Sequence, residues 1–445
     1  MMKLSEASRV LGGRTSGSDP RFSGVSTDTR TLHAGDLFVA LRGERFDGHG
    51  FLKTAAAAKA AAAVVDRNYA GEFPLPVAIV EDTRRALGDL ARHWRSRFTL
   101  VLIGVTGSNG KTTVKEMLAA ILRTQAGESG MLATAGNLNN DIGVPLTLLR
   151  LRAAHRWCAV ELGMNHRGEI AYLAGIGRPT VALVNNAQRE HLEFMRSVEE
   201  VAAENGSVYD ALPTDGVAVV NADDPHAAFF RARAGSRRLV DFGIASNAAI
   251  TASYQTKPLS SELEIETPAG RAHATLAIPG LHNVRNALAA AACAFAAGIG
   301  PEAIGAGLTV FRPYTGRLQV KQARGGATLI DDTYNANPDS VRAAIDVLAS
   351  CPGPTVLVLG DMGEVGERGA DFHREVGAYA RSKGISSLLG LGEATRHAVE
   401  AFGPGARHFD RVEDLLPDVA GSSILVKGSR FMRMERVVAE LTGGN

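Results

Sequence analysis

Val101-Leu102-Ile103-Gly104-Val105-Thr106-Gly107-Ser108-Asn109-Gly110-Lys111-Thr112-Thr113 is the stretch from which the fold can be read. An apolar run ends in a glycine-rich turn, and a helix-forming segment begins near Lys111. A continuously apolar strand belongs in a parallel sheet covered on both faces, and strand, turn and helix in this order form the setting of a phosphate loop. The glycines let backbone N–H groups turn towards phosphate oxygens with no Cβ in the way. Lys111 adds a mobile ammonium, and Thr112 a hydroxyl for the magnesium that accompanies a nucleotide. A helix N-terminus contributes roughly 0.3–1 kcal/mol to anion binding at an exposed site. A charge pair at about 4 Å in an effective dielectric of about 20 contributes roughly 4 kcal/mol, so Lys111 should outweigh the helix dipole. The strict loop pattern starts with a glycine where this chain has Val105.

Similar apolar runs recur outward from this point. Trp157-Cys158-Ala159-Val160-Glu161 and Val181-Ala182-Leu183-Val184-Asn185 read as buried strands of the same sheet, and Val356-Leu357-Val358-Leu359-Gly360 and Ile424-Leu425-Val426-Lys427 as strands of another. Ligands of parallel sheets bind where the carboxyl ends of strands open into loops. Glu161 should emerge at that edge, as a hard oxygen ligand able to hold Mg²⁺ directly or through water. His191 follows the next strand by a few residues and should reach the same place. Domain boundaries are expected near Asp82-Thr83-Arg84 and near Arg312-Pro313-Tyr314, giving units over 1–84, 85–313 and 314–445. The alanine tract from Ala55 to Ala63, broken by Lys59, predicts a helix.

Bulk properties narrow the class. The 445 residues suggest about three domains. Lys plus Arg number 48 and Asp plus Glu 47, a formal charge of +1, and without a basic run this balance argues against nucleic-acid binding driven by charge. With 45% hydrophobic and 21% charged residues the chain has the composition of a globular protein. The cysteines, Cys158, Cys293 and Cys351, lie far apart without a CxxC pair, which speaks against structural zinc or a disulfide framework and for a reducing compartment. The opening Met1-Met2-Lys3-Leu4-Ser5-Glu6 lacks a signal peptide's apolar stretch, and the longest apolar run is too short to span a bilayer. A cytoplasmic location is expected.

The ordered set Thr106-Gly107-Ser108-Asn109-Gly110-Lys111-Thr112-Thr113, Glu161-Leu162-Gly163, His282-Asn283-Val284-Arg285-Asn286, Gly316-Arg317 and Asp331-Asp332-Thr333-Tyr334-Asn335-Ala336-Asn337-Pro338 resembles the Mur ligases, the ATP-dependent ligases that assemble the peptide of bacterial peptidoglycan. The resemblance covers essentially the whole chain. It implies an α/β protein of three domains: an N-terminal unit for a UDP sugar, a central P-loop parallel-sheet ATPase and a C-terminal Rossmann-like ligase unit that closes over them. Within the family, Gly136-Asn137-Leu138-Asn139-Asn140-Asp141, Asp361-Met362-Gly363-Glu364 and Val426-Lys427-Gly428-Ser429-Arg430 look most like the member of the last cytoplasmic step. That step joins D-alanyl-D-alanine to UDP-N-acetylmuramoyl-tripeptide, with ATP and Mg²⁺, and the enzyme is expected to be a monomer.

Carried over by motif, Lys111, Glu161 and His191 would be catalytic, with Thr112, Glu161 and His191 at the metal. Gly107, Asn109, Gly110, Lys111, Thr112 and Thr113 would hold the phosphates and Arg317 would approach them from the inter-domain hinge. Asn283 and Asn286 would meet the adenine, Asp331 or Asp332 the ribose, and Asn335 or Asn337 would shape the nucleotide pocket. Ser26, Asp28 and Arg30 would meet the UDP end, and Asn137 and Asn140 the muramoyl peptide. Glu364 and Lys427 are candidates for the dipeptide site. One position departs: the family commonly has a carbamylated lysine, an acidic metal partner, where this chain has Asn205. An asparagine cannot be carbamylated, so a second magnesium site would be weaker or completed otherwise, with Glu204 a possible substitute. The rivals are a sibling ligase, a folylpolyglutamate synthase and a regulatory ATPase. The Ser26-Thr27-Asp28-Thr29-Arg30 segment and the Asp332-Thr333-Tyr334-Asn335-Ala336-Asn337-Pro338 run speak against the folate enzyme.

Overall fold

A computed structural model describes residues 1–43 and 46–443; residues 44–45 and 444–445, which the expected first and last units include, lie outside the described residues. Three α/β units follow one another. The first has a five-stranded sheet in the order Arg14–Ser16, Val77–Val80, Ala62–Asp66, Leu37–Val39, Val25–Ser26, parallel except for its first pair. The middle unit has an all-parallel six-stranded sheet ordered Arg238–Phe242, Val217–Asn221, Val181–Val184, Val101–Thr106, Trp157–Glu161, Met131–Ala133. The last has six strands, Gln319–Gln322, Thr328–Asp332, Ser423–Lys427, Thr355–Gly360, Ser387–Leu391, Ala406–Phe409, parallel except for the first pair.

The middle sheet follows from its side chains. Trp157–Glu161, Val181–Val184 and Val217–Asn221 are buried along their whole length, as strands covered on both faces must be. On one face lie the helices Lys111–Ala126 and Leu281–Ala296, the second lined with alanines whose small side chains permit close approach. On the other face, helix Thr83–Arg95, capped by Asp82, packs with Gly143–Leu149 and Glu169–Gly177. The expected division after Arg84 therefore cuts into a helix that rests on the middle unit.

Two features depart from the expectations. Helix Leu52–Ala57 stops early, Lys59 has φ +63°, and Ala62 and Ala63 belong to a strand. Alanine fits either element, and the following Val64 and Val65, β-branched and buried, decide for the sheet. The unforeseen element is an antiparallel meander, Thr251–Lys257, Ser260–Thr267 and Gly270–Leu276, whose last strand packs beside helix Pro301–Val310. All of Cys158, Cys293 and Cys351 are buried free thiols. No helix of the described residues is long and apolar enough to cross a membrane.

Candidate active site

The carboxyl ends of the middle strands face the last domain across a cavity of about 910 Å³. On the middle side it is lined by Asn109, Gly110, Lys111, Asn137, Asn140, Glu161, Glu190 and His191, and on the other by Arg317, Asn335, Asn337, Glu364 and Lys427. The phosphate loop is built as its sequence required. Gly107 has φ +128° and Gly110 φ +83°; a Cβ on Gly110 would fall 2.3 Å from Asn286 Oδ1. The loop's backbone is tied by asparagines. Asn186 Oδ1 accepts from Asn109 N (2.8 Å), and Asn185 Nδ2 donates to Asn109 O (2.8 Å) and to Asn286 Oδ1 (3.0 Å). Lys111 Nζ donates to Gly107 O (2.5 Å), Ser108 O (3.1 Å) and Glu190 Oε1 (2.8 Å).

Glu161 is 1% exposed. Its Oε1 accepts from Asn139 Nδ2 (2.8 Å) and Thr112 Oγ1 (3.2 Å), while Oε2 is buried without a hydrogen-bond partner. A buried, half-satisfied carboxylate beside a loop hydroxyl is a donor set that fits Mg²⁺, a hard cation. Among the described residues, no three or more His, Cys, Asp or Glu side chains converge on a single metal position. Arg317 stacks on Tyr334, with its guanidinium carbon 4.0 Å from the ring centre, and directs an N–H at Thr112 Oγ1 (3.5 Å).

His191, expected at the metal, lies between two carboxylates. Its Nε2 lies 3.3 Å from Glu190 Oε1, and its Nδ1 lies 2.6 Å from Glu364 Oε2 at an ion-pair separation rather than an aligned hydrogen bond. Burial disfavours the charged ring, but these two carboxylates outweigh it and raise the pKa to about 9. Burial also opposes ionisation of Glu190, yet Lys111 and His191 hold its carboxyl below the usual range.

Other expected site residues are held by partners within the protein. Asn283 and Asn286 do not line the cavity: Asn283 Nδ2 donates to Pro279 O (2.7 Å), and Asn286 Nδ2 to Asn283 Oδ1 (3.0 Å). Buried amides cannot leave these partners without cost, and the pair braces the phosphate loop through Asn185. Asp331 accepts from Thr333 Oγ1 (2.7 Å) and Lys321 Nζ (2.7 Å), and Asp332 from Lys427 Nζ (2.6 Å), so both carboxylates are already engaged within the last domain. Lys427, 3% exposed, also donates to Asn335 O (2.9 Å), and its ammonium ties two strand ends together at the cavity wall. Asn205 is fully buried beneath the phosphate loop, where its Oδ1 accepts from Thr106 Oγ1 (2.6 Å) and Gly107 N (2.9 Å). Glu204 accepts from Gly168 N (2.9 Å) and Ile170 N (2.8 Å), at the start of helix Glu169–Gly177, and so is no substitute metal ligand.

Gly107, Thr112 and Thr113 sit behind the cavity wall. Asn140 Oδ1 accepts from Gly143 N (2.9 Å) at the cavity's floor. Ser26, Asp28 and Arg30 lie away from the cavity, at the carboxyl end of strand Val25–Ser26, and the paired Arg30 lowers the Asp28 pKa to about 2. Glu190, Asn185 and Asn186 also serve the site, although no motif in the sequence marks them. Asn185 and Asn186 directly follow a buried strand, the position that singled out Glu161, and Glu190 adjoins His191.

Family models match along the chain: Mur ligase family, catalytic domain, over residues 21–95; Mur ligase middle domain over 105–294; and Mur ligase, glutamate ligase domain, over 316–430. The UDP-N-acetylmuramoyl-tripeptide–D-alanyl-D-alanine ligase of Escherichia coli (strain K12) is 43% identical over 98% of both chains. A crystal structure of MurF from Acinetobacter baumannii superposes with a TM-score of 0.92 at 34% identity, covering 99% of both chains. That of MurF ligase from Thermotoga maritima in complex with ADP gives 0.83 at 26% identity, covering 96% of this chain and 99% of that one.

Proposed function

The chain belongs to the Mur ligase family, and on that premise we propose how its cleft performs the family's chemistry. The protein is an ATP-dependent ligase that adds D-alanyl-D-alanine to UDP-N-acetylmuramoyl-tripeptide in peptidoglycan precursor synthesis. A carboxylate is a poor electrophile, so an amide does not form from it in water unaided. The γ-phosphoryl of ATP passes to the tripeptide's terminal carboxylate, giving ADP and an acyl phosphate. The dipeptide's amine then attacks the acyl carbon, and the tetrahedral intermediate expels phosphate.

One observation carries this reading: groups suited to phosphates, to a cation and to an amine come from two domains and line one cavity. Lys111 exchanges one of its present acceptors for a phosphate oxygen, with Arg317 approaching from the other domain and the backbone of residues 107–113 beneath. Thr112 and Glu161 would hold Mg²⁺, which when bound offsets the charge of the phosphates. The charged ring of His191 favours the approach of two anions. Glu364 faces the incoming ammonium, Asn335 and Asn337 edge the nucleotide pocket, and Asn137 and Asn140 border the muramoyl peptide. Ser26, Asp28 and Arg30 take the UDP end, a reading supported by their place at a parallel sheet's ligand edge. Holding both reactants in one cleft turns a chance encounter into an oriented attack. We take the enzyme to act as a monomer in the cytoplasm.

Phosphate release tests the reading, measured with ATP, UDP-N-acetylmuramoyl-tripeptide and either D-alanyl-D-alanine, single D-amino acids or glutamate. Release and a joined product are expected with the dipeptide. Release with single amino acids alone would overturn the assigned acceptor, and release without any acceptor would favour a regulatory ATPase.

A further inference from the structure

Four successive residues after strand Val181–Val184 reach four different places. Gln188 binds the phosphate loop, its N donating to Ser108 Oγ (2.9 Å) and its Oε1 accepting from Asn109 Nδ2 (2.6 Å). Glu190 meets Lys111, and His191 meets Glu364. Between them, Arg189 turns into the last domain and grips two of its helices. It donates to Asp339 through Nε (3.1 Å) and Nη2 (2.5 Å), and to Glu375 through Nη1 (2.7 Å) and Nη2 (3.0 Å). Its backbone N donates to Asp339 Oδ2 (3.0 Å), and its guanidinium carbon lies 5.3 Å from the Phe372 ring centre.

An ordinary surface ion pair contributes little, because long side chains give up entropy and water screens the charges. This arrangement differs in geometry. A planar fork that engages two carboxylates at once requires a particular separation between them, so it fixes position as well as adding attraction. Asp339 sits in the first turn of helix Pro338–Ala349, and Glu375 on helix Gly369–Ser382, where Arg342 also holds it (2.8 Å). The side chain of Arg189 is only 24% exposed. The other ties across the same boundary include the His191–Glu364 ion pair (2.6 Å), an amide pair, Asn337 Nδ2 to Asn109 Oδ1 (2.9 Å), and longer contacts such as Glu193 N to Glu364 O (3.4 Å).

We propose that Arg189 is a positioning residue of the ligase reaction: its grip on Asp339 and Glu375 sets the last domain against the Glu190–His191 loop, and so brings Glu364 and His191 to the phosphate loop. The inference rests on the ligase reading and adds a residue to it. Without the latch the phosphate loop stays intact, whereas the dipeptide side loses its register. The acyl phosphate then meets water more often than the amine.

Steady-state kinetics of the full chain test this, with ADP and joined product measured together. Wild-type enzyme should form one ADP per product; if it forms no product, the ligase reading fails and not the latch. For Arg189→Ala, kcat/KM for the dipeptide should fall on the order of a hundredfold, the loss expected from misplaced reactants. The KM for ATP should rise far less than that for the dipeptide, because Lys111 and the phosphate loop keep their grip while only Asn335 and Asn337 shift with the last domain, and ADP formed per product should rise above one. Arg189→Lys should recover part of the coupling. The double variant Asp339→Asn with Glu375→Gln should reproduce the defect from the other side, and adding Arg189→Ala to it should cost little more. Unchanged dipeptide kinetics and coupling in Arg189→Ala would overturn the proposal. So would equal losses for ATP and dipeptide with no rescue by lysine. If Arg189→Ala fails to fold, the Asp339→Asn, Glu375→Gln variant decides by the same two measures.

Discussion

On the nucleotide side of the cleft, Asn185 and Asn186 hold the backbone of Asn109, and Asn205 accepts from Gly107 beneath it, all of them from within the middle domain. On the opposite side, Phe431 leaves 62% of its surface exposed and Glu364 adopts φ +60° in a loop. The first wall is made before any reactant arrives, because buried amides that satisfy one another hold the loop in a single shape. The second owes its position to partners in another domain, so its geometry depends on how the domains sit. Gripping a triphosphate and aligning an amine are thus separable properties, and substitutions on the two walls should fail differently.

The largest separation should come from Lys111→Ala. Loss of its ammonium should lower turnover on the order of a thousandfold, as removal of a strong electrostatic donor does, with the circular dichroism spectrum unchanged. An active Lys111→Ala enzyme would remove the nucleotide wall from the chemistry. Glu161→Gln should cost about a hundredfold and raise the magnesium concentration needed for half-maximal rate, measured by Mg²⁺ titration. A next, smaller effect concerns pH. The His191 pKa of about 9 lies above the ordinary value of about 6.5, so the imidazolium contact with Glu364 is fully present below about 6.5 and fades as pH rises through about 9. Dipeptide kcat/KM should therefore decline around pH 9 in the wild type, and that limb should vanish in His191→Gln. Asn205→Leu, which leaves Gly107 N without its acceptor, should destabilise the fold by about 1–3 kcal/mol, read by thermal or urea unfolding. The smallest effect expected is none: with Asn205 buried under the loop and unable to be carbamylated, depletion and return of bicarbonate should leave the rate unaltered. A clear rescue would mean that some other lysine serves the metal.

The prepared wall was also the legible one. A buried apolar strand, a glycine turn and a lysine are neighbours in sequence, so Lys111 and Glu161 could be placed from local pattern alone. Asn185, one residue past a strand end, obeys the same rule, but an amide carries no charge to attract notice. The meander over 251–276 was legible in principle, since Ser260–Thr267 alternates buried and exposed positions. The alanine tract was not, because alanine suits helix and sheet alike and only the following valines decide. Nothing local ties Arg189 to Asp339 or Glu375, which lie 150 and 186 residues away. Nor could the pattern reveal that Asp331, Asp332 and Lys427 would spend their charges on one another and on Lys321. Such pairings arise only when two domains or two strand ends meet.

The three sequestered thiols give the folded enzyme an internal clock. Cys158 and Cys293 lie in the middle domain and Cys351 in the last, and burial pushes the Cys158 thiol up to about 12. A maleimide added to the native protein should therefore modify a site only when its own domain breathes open. Mass spectrometry of the three peptides over time would rank how often each half of the cleft comes apart, and a bound nucleotide should slow the middle pair first.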